Sequence, residues 1–430
     1  MSRVDVRMWG RTIGAVALVD DVGVFQYDAA FARSGIQVSP LVLPLAPAPR
    51  SFPGLPRAAF HGLPGLLADS LPDRYGNALI DAWLVRQGRS PRDFDPVERL
   101  AYTGSRGMGA LEYAPAAGPS PEPSEPLALQ ALHALASEVL TDRQALRADL
   151  GERTAAMRHL LRVGTSAGGA RAKALIAWNP DTGEVRSGQV DPGAGFSSWL
   201  LKFDGVAGNR DKELDDPAGY GALEHAYHRM AIAAGIEMTE CRLLDEGGRR
   251  HFLTRRFDRP PGGGKLHMQS LAALAHLDFN AAGAHSYEQA LQVVRRLGLG
   301  MATTEQLFRR MVFNVIARNQ DDHVKNIAFL MDRQGRWSLA PAFDLTFAYN
   351  PDGAWTSRHQ MTVNGKRDHF SLADFEAVGR LVSLKRGRAR ALLTRVTDAV
   401  RRWPDFAAAS GVPQAWADQV AALHRLALAP

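Results

Sequence analysis

The chain begins with alternation. In "VDVRMWGRTIGAVALV" apolar and polar side chains change places along most of the stretch, which is the signature of half-buried strands, and the break at Trp9 and Gly10 predicts a turn near Gly10. Helical spacing follows around "GLLADSLPDRYGNALIDAWLVRQ". Next comes "PAAGPSPEPSEP", Pro115 to Pro126, with too much proline for a helix; it reads as a linker or exposed loop and is the clearest boundary in the chain.

Beyond that boundary "LALQALHALASEVL" and "DRQALRADLGERTAAMRHLLRV" have helical patterns. "AKALIAWNPDTGEV" reads as a strand meeting a turn, "SSWLLKFDG" as a strand, "YGALEHAYHRMAIAAG" as a helix, and "RHFLTRRFDRPPGGGKLHMQS" as a strand that leaves through a glycine-rich loop. After Gln269 the spacing is mostly helical to the end, as in "YEQALQVVRRLGLG", "TEQLFRRMVFNVIARN" and "ADQVAALHRLALA". The pattern predicts an α+β chain: a first region over residues 1–114, a β-rich lobe over 127–259 and an α-helical lobe over 260–430. No long repeat interrupts this order.

Length and composition narrow the class. At 430 residues the chain is too long for one ordinary core. No apolar run approaches the ~20 residues that cross a bilayer, and the N-terminus lacks the apolar stretch of a signal peptide, so a cytoplasmic protein without membrane contact is expected. The single cysteine, Cys241, excludes an internal disulfide and a cysteine-based zinc site. A net charge of +6 is compatible with an acidic partner but does not by itself point to nucleic acid. Only seven of the 51 basic residues are lysines, so a lysine inside a polar cluster marks a place where a compact ammonium suits better than a guanidinium fork. Lys202 and Lys325 are two such places.

The densest polar cluster is "ARNQDDHVKN", Ala317 to Asn326, set between the apolar runs "LFRRMVFNVIA" and "IAFLM". Apolar flanks draw such a loop toward the core, where each polar group needs a partner. Asp321 and Asn326 are five apart, the separation found in the catalytic loop of protein kinases, where the aspartate orients the acceptor hydroxyl and the asparagine binds magnesium. Eighteen residues further on, "LAPAFDLT" places Asp344 where a second hard oxygen ligand is expected. Asp322 is the rival for the base, at the wrong distance from Asn326. Upstream, "WLLKFDG" supplies Lys202 on a strand for nucleotide phosphates, Glu224 could pair with it from the following helix, and "RVGTSAGGARAK" offers a glycine-containing turn with Ser166 at its tip.

The order "TSAGGARAK", "WLLKFDG", "RRFDR", "NQDDHVKN" and "AFDLT" resembles the HipA family of bacterial serine/threonine-protein kinases, the toxin half of a toxin–antitoxin pair. "YTGSRGMGALEYAP", "GLLADSLPDRYGNAL" and "PLVLPL" resemble that family's N-terminal domain, so the likeness covers nearly the whole chain. The resemblance implies a two-lobed protein-kinase-like fold with an appended N-terminal α/β subdomain, and ATP and Mg2+ as cofactors. It implies Asp321 as catalytic base, with His323 and Lys325 flanking the γ-phosphate. Asn326 and Asp344 would hold the metal, and Lys202 the ATP phosphates. The backbone of Arg255 and Phe257 would meet adenine, with Gln269 and Phe343 close to the nucleotide. Ser166, with Ala167 and Gly168 beside it, would lie in the phosphate loop and be self-phosphorylated. Arg171 departs from the pattern, standing where glutamine is expected.

The same likeness implies a separately encoded helix-turn-helix antitoxin (HipB-like), operator DNA reached through it, and a protein substrate in translation, an aminoacyl-tRNA synthetase for instance. No helix-turn-helix is evident in this chain. Each site residue has a plainer reading: His323 as a hydrogen-bonding cap, Ser166 as a turn residue, Glu224 as a solvated helix residue, and Arg386, Arg388 and Arg390 as a solvated helix face instead of contacts to operator phosphates. Two other function classes compete, a small-molecule phosphotransferase and a DNA-associated corepressor built on a silent kinase scaffold.

Overall fold

The computed structural model describes residues 2–118, 127–141, 171–188, 193–206 and 218–428. The expected helix over 142–163 and most of the proline-rich linker lie outside these residues. The opening alternation forms strands β1 (Arg3–Met8), β2 (Arg11–Val19) and β3 (Val22–Tyr27), with Val4, Val6 and Met8 turned inward. Both connections are two-residue turns in which each central residue is left-handed: Trp9 and Gly10 at φ 53° and 77°, Asp20 and Asp21 at 48° and 62°. Such turns match the twist of antiparallel strands. Helix α1 (Arg74–Arg86) starts at Asp73, whose Oδ1 accepts the Gly76 N–H at 2.6 Å, and α2 (Pro96–Thr103) at a reciprocal cap between Asp95 and Glu98. Strand β4 (Leu111–Ala114) closes an antiparallel sheet in the order β3-β2-β1-β4. This first region is not a closed unit, because α1 inserts Tyr75, Ala78 and Leu79 into the core of the next lobe.

That lobe holds α3 (Leu129–Thr141) and five strands: β5 (Lys173–Trp178), β6 (Val185–Ser187), β7 (Ser197–Lys202), β8 (Cys241–Glu246) and β9 (Arg249–Arg255), in the order β6-β5-β7-β9-β8. Between β7 and β8 runs helix α4 (Tyr220–Ala233). All six residues of β5 are buried, which is why "KALIAW" shows no alternation. The helical lobe begins with β10 (His267–Ser270), which pairs with β11 (Ala328–Met331) and, through it, β12 (Trp337–Leu339). Its core is built on α5 (Tyr287–Arg296), α6 (Met301–Ile316), α7 (Leu372–Leu381) and α8 (Arg388–Arg401). Helix α6 is buried continuously from Leu307 to Ile316, and the catalytic-loop candidate follows directly from it.

The first region is fastened to both lobes. The carboxylate of Asp258 accepts from Arg256 (2.7 Å), Arg259 (2.7 Å) and the backbone N–H of Gly109 (2.7 Å), while Arg259 also donates to the carbonyls of Gly107 and Gly109. Burial favours the neutral acid, yet the two guanidinium groups outweigh it and hold the Asp258 carboxyl at about 2. The motifs "RRFDR" and "YTGSRGMGALEYAP" are thus two halves of one joint. Asp69 accepts from Ser270 N (2.6 Å) and Ser270 Oγ (2.8 Å), and Asp73 accepts from Lys173 Nζ (2.8 Å). Among the described residues no helix is long and apolar enough to cross a membrane.

Candidate active site

Lys202 ends β7, directly opposite Lys173 on β5 and Phe252 on β9. Its ammonium donates to Glu224 Oε1 and, at 2.5 Å, to Asp344 Oδ1. Burial lowers the pKa of such an ammonium, but Asp344 and Glu224 together outweigh burial and hold it above the ordinary lysine range. Glu224 reaches Lys202 because α4 begins at a set place. The residue before the helix is Gly219, in the left-handed region at φ 97° and without a side chain to cap the first turn. Asp204, two residues past Lys202, supplies the cap instead. Both of its oxygens accept the Gly219 N–H at 3.0 Å, and Oδ1 accepts Gly221 N–H at 3.1 Å.

Glu224 Oε2 accepts from Arg171 Nη1 at 2.6 Å, and the Arg171 guanidinium lies 4.5 Å from the Tyr220 ring centroid. The unexpected arginine therefore adds its charge to the glutamate that holds Lys202. Ser166, Ala167 and Gly168 lie outside the described residues.

Across the cleft, Asp321 and Asp322 point apart. Asp322 is buried and accepts from Tyr287 Oη (2.9 Å), His359 Nδ1 (2.8 Å) and Gln360 N (2.7 Å). Burial raises the pKa of its carboxyl, and the His359 contact and these hydrogen bonds overcome that and hold it below the ordinary range. The Asp321 side chain is 45% exposed, with Oδ1 accepting from Trp355 Nε1 at 2.7 Å. Its carbonyl accepts Asn326 Nδ2 at 2.9 Å, which turns the amide oxygen of Asn326 outward. His323 Nδ1 accepts the Lys325 N–H at 3.3 Å, so this ring caps the 3-10 turn Val324–Asn326, as the plainer reading expects; its Nε2 lies 3.9 Å from Asp321 Oδ1. Lys325 Nζ sits 4.6 Å from the centroid of Phe279, a ring shared by the cores of the helical lobe and the first region.

Asp344 adopts φ 54°, an uncommon backbone for a residue with a β-carbon, and its carbonyl is held by Asn319 Nδ2 at 3.3 Å. Burial raises its carboxyl pKa, and the Lys202 ammonium more than reverses this. Asp322, His323, Asn326, Phe343 and Asp344 line one cleft, together with Asn314 and Asn319. Among the described residues no three His, Cys, Asp or Glu side chains gather as a self-sufficient metal cage. Asn326 and Asp344 instead offer two hard oxygens, a set that fits magnesium when phosphate and water complete the shell.

An apolar patch adjoins this cleft. Phe257, Leu266, Met268 and Phe343 pack around Ala328, Leu330 and Ala340, with the Phe257 and Phe343 centroids 5.8 Å apart. Arg255 ends β9, its N–H donating to Glu240 O at 2.9 Å. Gln269 lies on the same strand as Met268. It pairs with Phe329 on β11, on the sheet face opposite Met268 and Leu330, and its amide is fully buried without a partner among the described residues. The period of two along "HMQS" puts Met268 on the apolar patch and Gln269 on the other face. Sequence reasoning also passed over Asp204 and Trp355. The missing cap in "AGYGALE" was a signal for the first; nothing local signalled the second.

Comparisons with known proteins bear on the family and the fold. A family model described as HipA-like C-terminal domain matches residues 165–403, and one described as HipA N-terminal domain matches residues 4–114. Y4mE of Sinorhizobium fredii, which carries a provisional kinase name, is 29% identical over 162 residues, 35% of this chain and 37% of its own length. A Haemophilus influenzae protein with a similar provisional name is 25% identical over 134 residues, 28% and 39% of the two chains. The matches thus span less than two fifths of these relatives' lengths. The fold is similar to that of HipA from Shewanella oneidensis MR-1, solved with HipB and operator DNA, with a TM-score of 0.69, 17% identity and coverage of 97% and 96% of the two chains. The chain therefore has an α+β, two-lobed, protein-kinase-like fold with an appended N-terminal region.

Proposed function

Because the chain belongs to the HipA family, we propose that it is an ATP-dependent serine/threonine-protein kinase and the toxin of a toxin–antitoxin pair. The observation that carries this reading is the meeting of Lys202, Glu224 and Asp344, which brings the phosphate-holding lysine of one lobe onto the metal-holding aspartate of the other. Lys202 would hold ATP phosphate oxygens, and Asn326 and Asp344 would hold Mg2+. When bound, that ion neutralises charge on the β- and γ-phosphates. Phe257, Met268 and Phe343 would receive the adenine. Asp321 accepts the proton of a serine or threonine hydroxyl as its oxygen bonds the γ-phosphorus, while the bond to the β–γ bridging oxygen breaks and ADP leaves. Lys325 and His323 would flank the γ-phosphate.

The acceptors in this reading are a protein of the translation apparatus, an aminoacyl-tRNA synthetase by family resemblance, and the chain's own Ser166. Growth arrest and persistence would follow from the first. The Shewanella relative assembles with HipB and operator DNA, which supports a HipB-like antitoxin as partner here and DNA through it. The test is comparative phosphoproteomics of cells expressing the wild type or Asp321→Ala. Sites gained only with the wild type are expected in a translation factor and at Ser166; identical phosphoproteomes would overturn the reading.

A further inference from the structure

The carboxylate proposed as base is held from an unexpected direction. Asp321 Oδ1 accepts the indole N–H of Trp355 at 2.7 Å, across 34 residues of sequence. Trp355 stands in the irregular stretch that follows Asp344, and this stretch is stitched to the catalytic loop at several points. Gln320 N donates to Ala348 O at 2.9 Å and Gln320 Nε2 to Thr356 O at 3.0 Å. Gln360 Nε2 donates to the carbonyls of Gln320 (3.1 Å), Arg358 (2.9 Å) and Trp355. Asp322, the buried neighbour of the base, receives His359 and Gln360 of the same stretch. One aspartate thus anchors the segment, and the segment returns a donor to the other.

The choice of donor matters chemically. An indole N–H donates and cannot accept, so it can fix the plane of a carboxylate without competing for a proton moving onto it. With Oδ1 engaged, Oδ2 is the oxygen left for an acceptor hydroxyl. A half-exposed aspartate without such a contact would rotate about its side-chain bonds, and catalysis by a positioned base falls steeply with misplacement.

We propose that Trp355 is the positioning residue of the transfer step, orienting Asp321 through its indole N–H, and that Asp322 acts at one remove by fixing the segment that carries it. This rests on the kinase reading above. The experiment measures transfer of labelled γ-phosphate from ATP to dephosphorylated casein and to the chain itself. Trp355→Phe, which keeps a ring and removes the N–H, should lower kcat by about tenfold or more, with the KM for ATP within about twofold and the thermal midpoint close to that of the wild type. Trp355→His, which retains a ring N–H, should recover part of the rate. In an Asp321→Asn background, Trp355→Phe should change the residual rate little, because two residues acting through one group are not additive. An unchanged or raised kcat, a loss that falls on ATP binding, or an equal loss in the Asp321→Asn background would overturn the assignment. Wild-type protein that transfers nothing to either acceptor would remove the kinase reading and this inference with it, whereas an active wild type beside an unaltered Trp355→Phe removes the inference alone.

Discussion

Asp321 and Asp322 are neighbours in sequence with opposite surroundings, and their substitutions should separate accordingly. Asp322→Ala would leave the Tyr287 hydroxyl, the His359 ring and the Gln360 N–H without their acceptor in a buried place, a change that costs about 3–5 kcal/mol when one partner of a buried pair is removed. Asp321→Ala should leave the denaturant midpoint nearly unchanged while abolishing most transfer and sparing ATP binding. Guanidinium melts beside ATP-binding and transfer assays check both, and an Asp321→Ala protein that keeps its transfer beside an inactive Asp322→Ala would reverse the assignment. Lys202 tests charge shape. Two carboxylates, from Glu224 and Asp344, converge on its single ammonium, and a planar guanidinium in that space would be larger and differently directed. Lys202→Arg is expected to lose on the order of tenfold or more in kcat/KM, about 1.4 kcal/mol, despite keeping the charge; near-normal turnover would make Lys202 an ordinary strand residue. The meeting of Lys202 with Glu224 and Asp344, and of Asp321 with Asn326, was legible because motif order and short spacing carry them. Which of Met268 and Gln269 packs with Phe257 and Phe343 was not, since alternation says that neighbours face opposite ways and leaves packing to choose the face.

Among the elements, α4 shows how a helix is aimed from outside itself. With Gly219 at its head, its first N–H groups depend on Asp204. Asp204→Ala should therefore cost about 1–2 kcal/mol, as cap removals do, and loosen the register that brings Glu224 to Lys202. A fall in stability accompanied by a higher KM for ATP is the expected pair of results, and lost stability with an intact KM would confine Asp204 to folding. The two-residue turns and the buried run of α6 follow from local pattern. Helix α8 was ambiguous from sequence, and its environment favours the solvated face: Arg388 is bidentate to Glu305 at 2.7 and 2.5 Å, and Arg390 meets Glu376 at 3.1 Å. Pairing across helices is not written in the spacing of either one.

On the scale of the whole molecule, the first region and the lobes share cores and charges. A chain beginning after residue 114 would lose α1 from the second lobe's core and leave Lys173 without Asp73; it should express as aggregate, and a soluble, cooperative melt from that fragment would show the lobes to be self-sufficient. The joint at Asp258 gives a pH signature. Its folded pKa, about 2, lies below the ordinary 3.8, so its contribution is complete above about pH 4 and is lost as pH falls from there toward 2. The amount is on the order of 2 kcal/mol. Guanidinium melts at pH 5 and pH 2.5 should show that loss, and Asp258→Asn should flatten the difference.

Asp69 and Asp73 also set a mechanical limit. One is tied to Ser270 at the start of the helical lobe and the other to Lys173 on the β lobe, so the few residues between them form a tether from one lobe to the other. Four residues of chain span at most about 14 Å even when pulled straight. Any parting of these two anchors beyond that reach must first break either the buried Lys173–Asp73 ion pair or the Ser270–Asp69 hydrogen bonds, which makes the tether a stop on movement of one lobe away from the other.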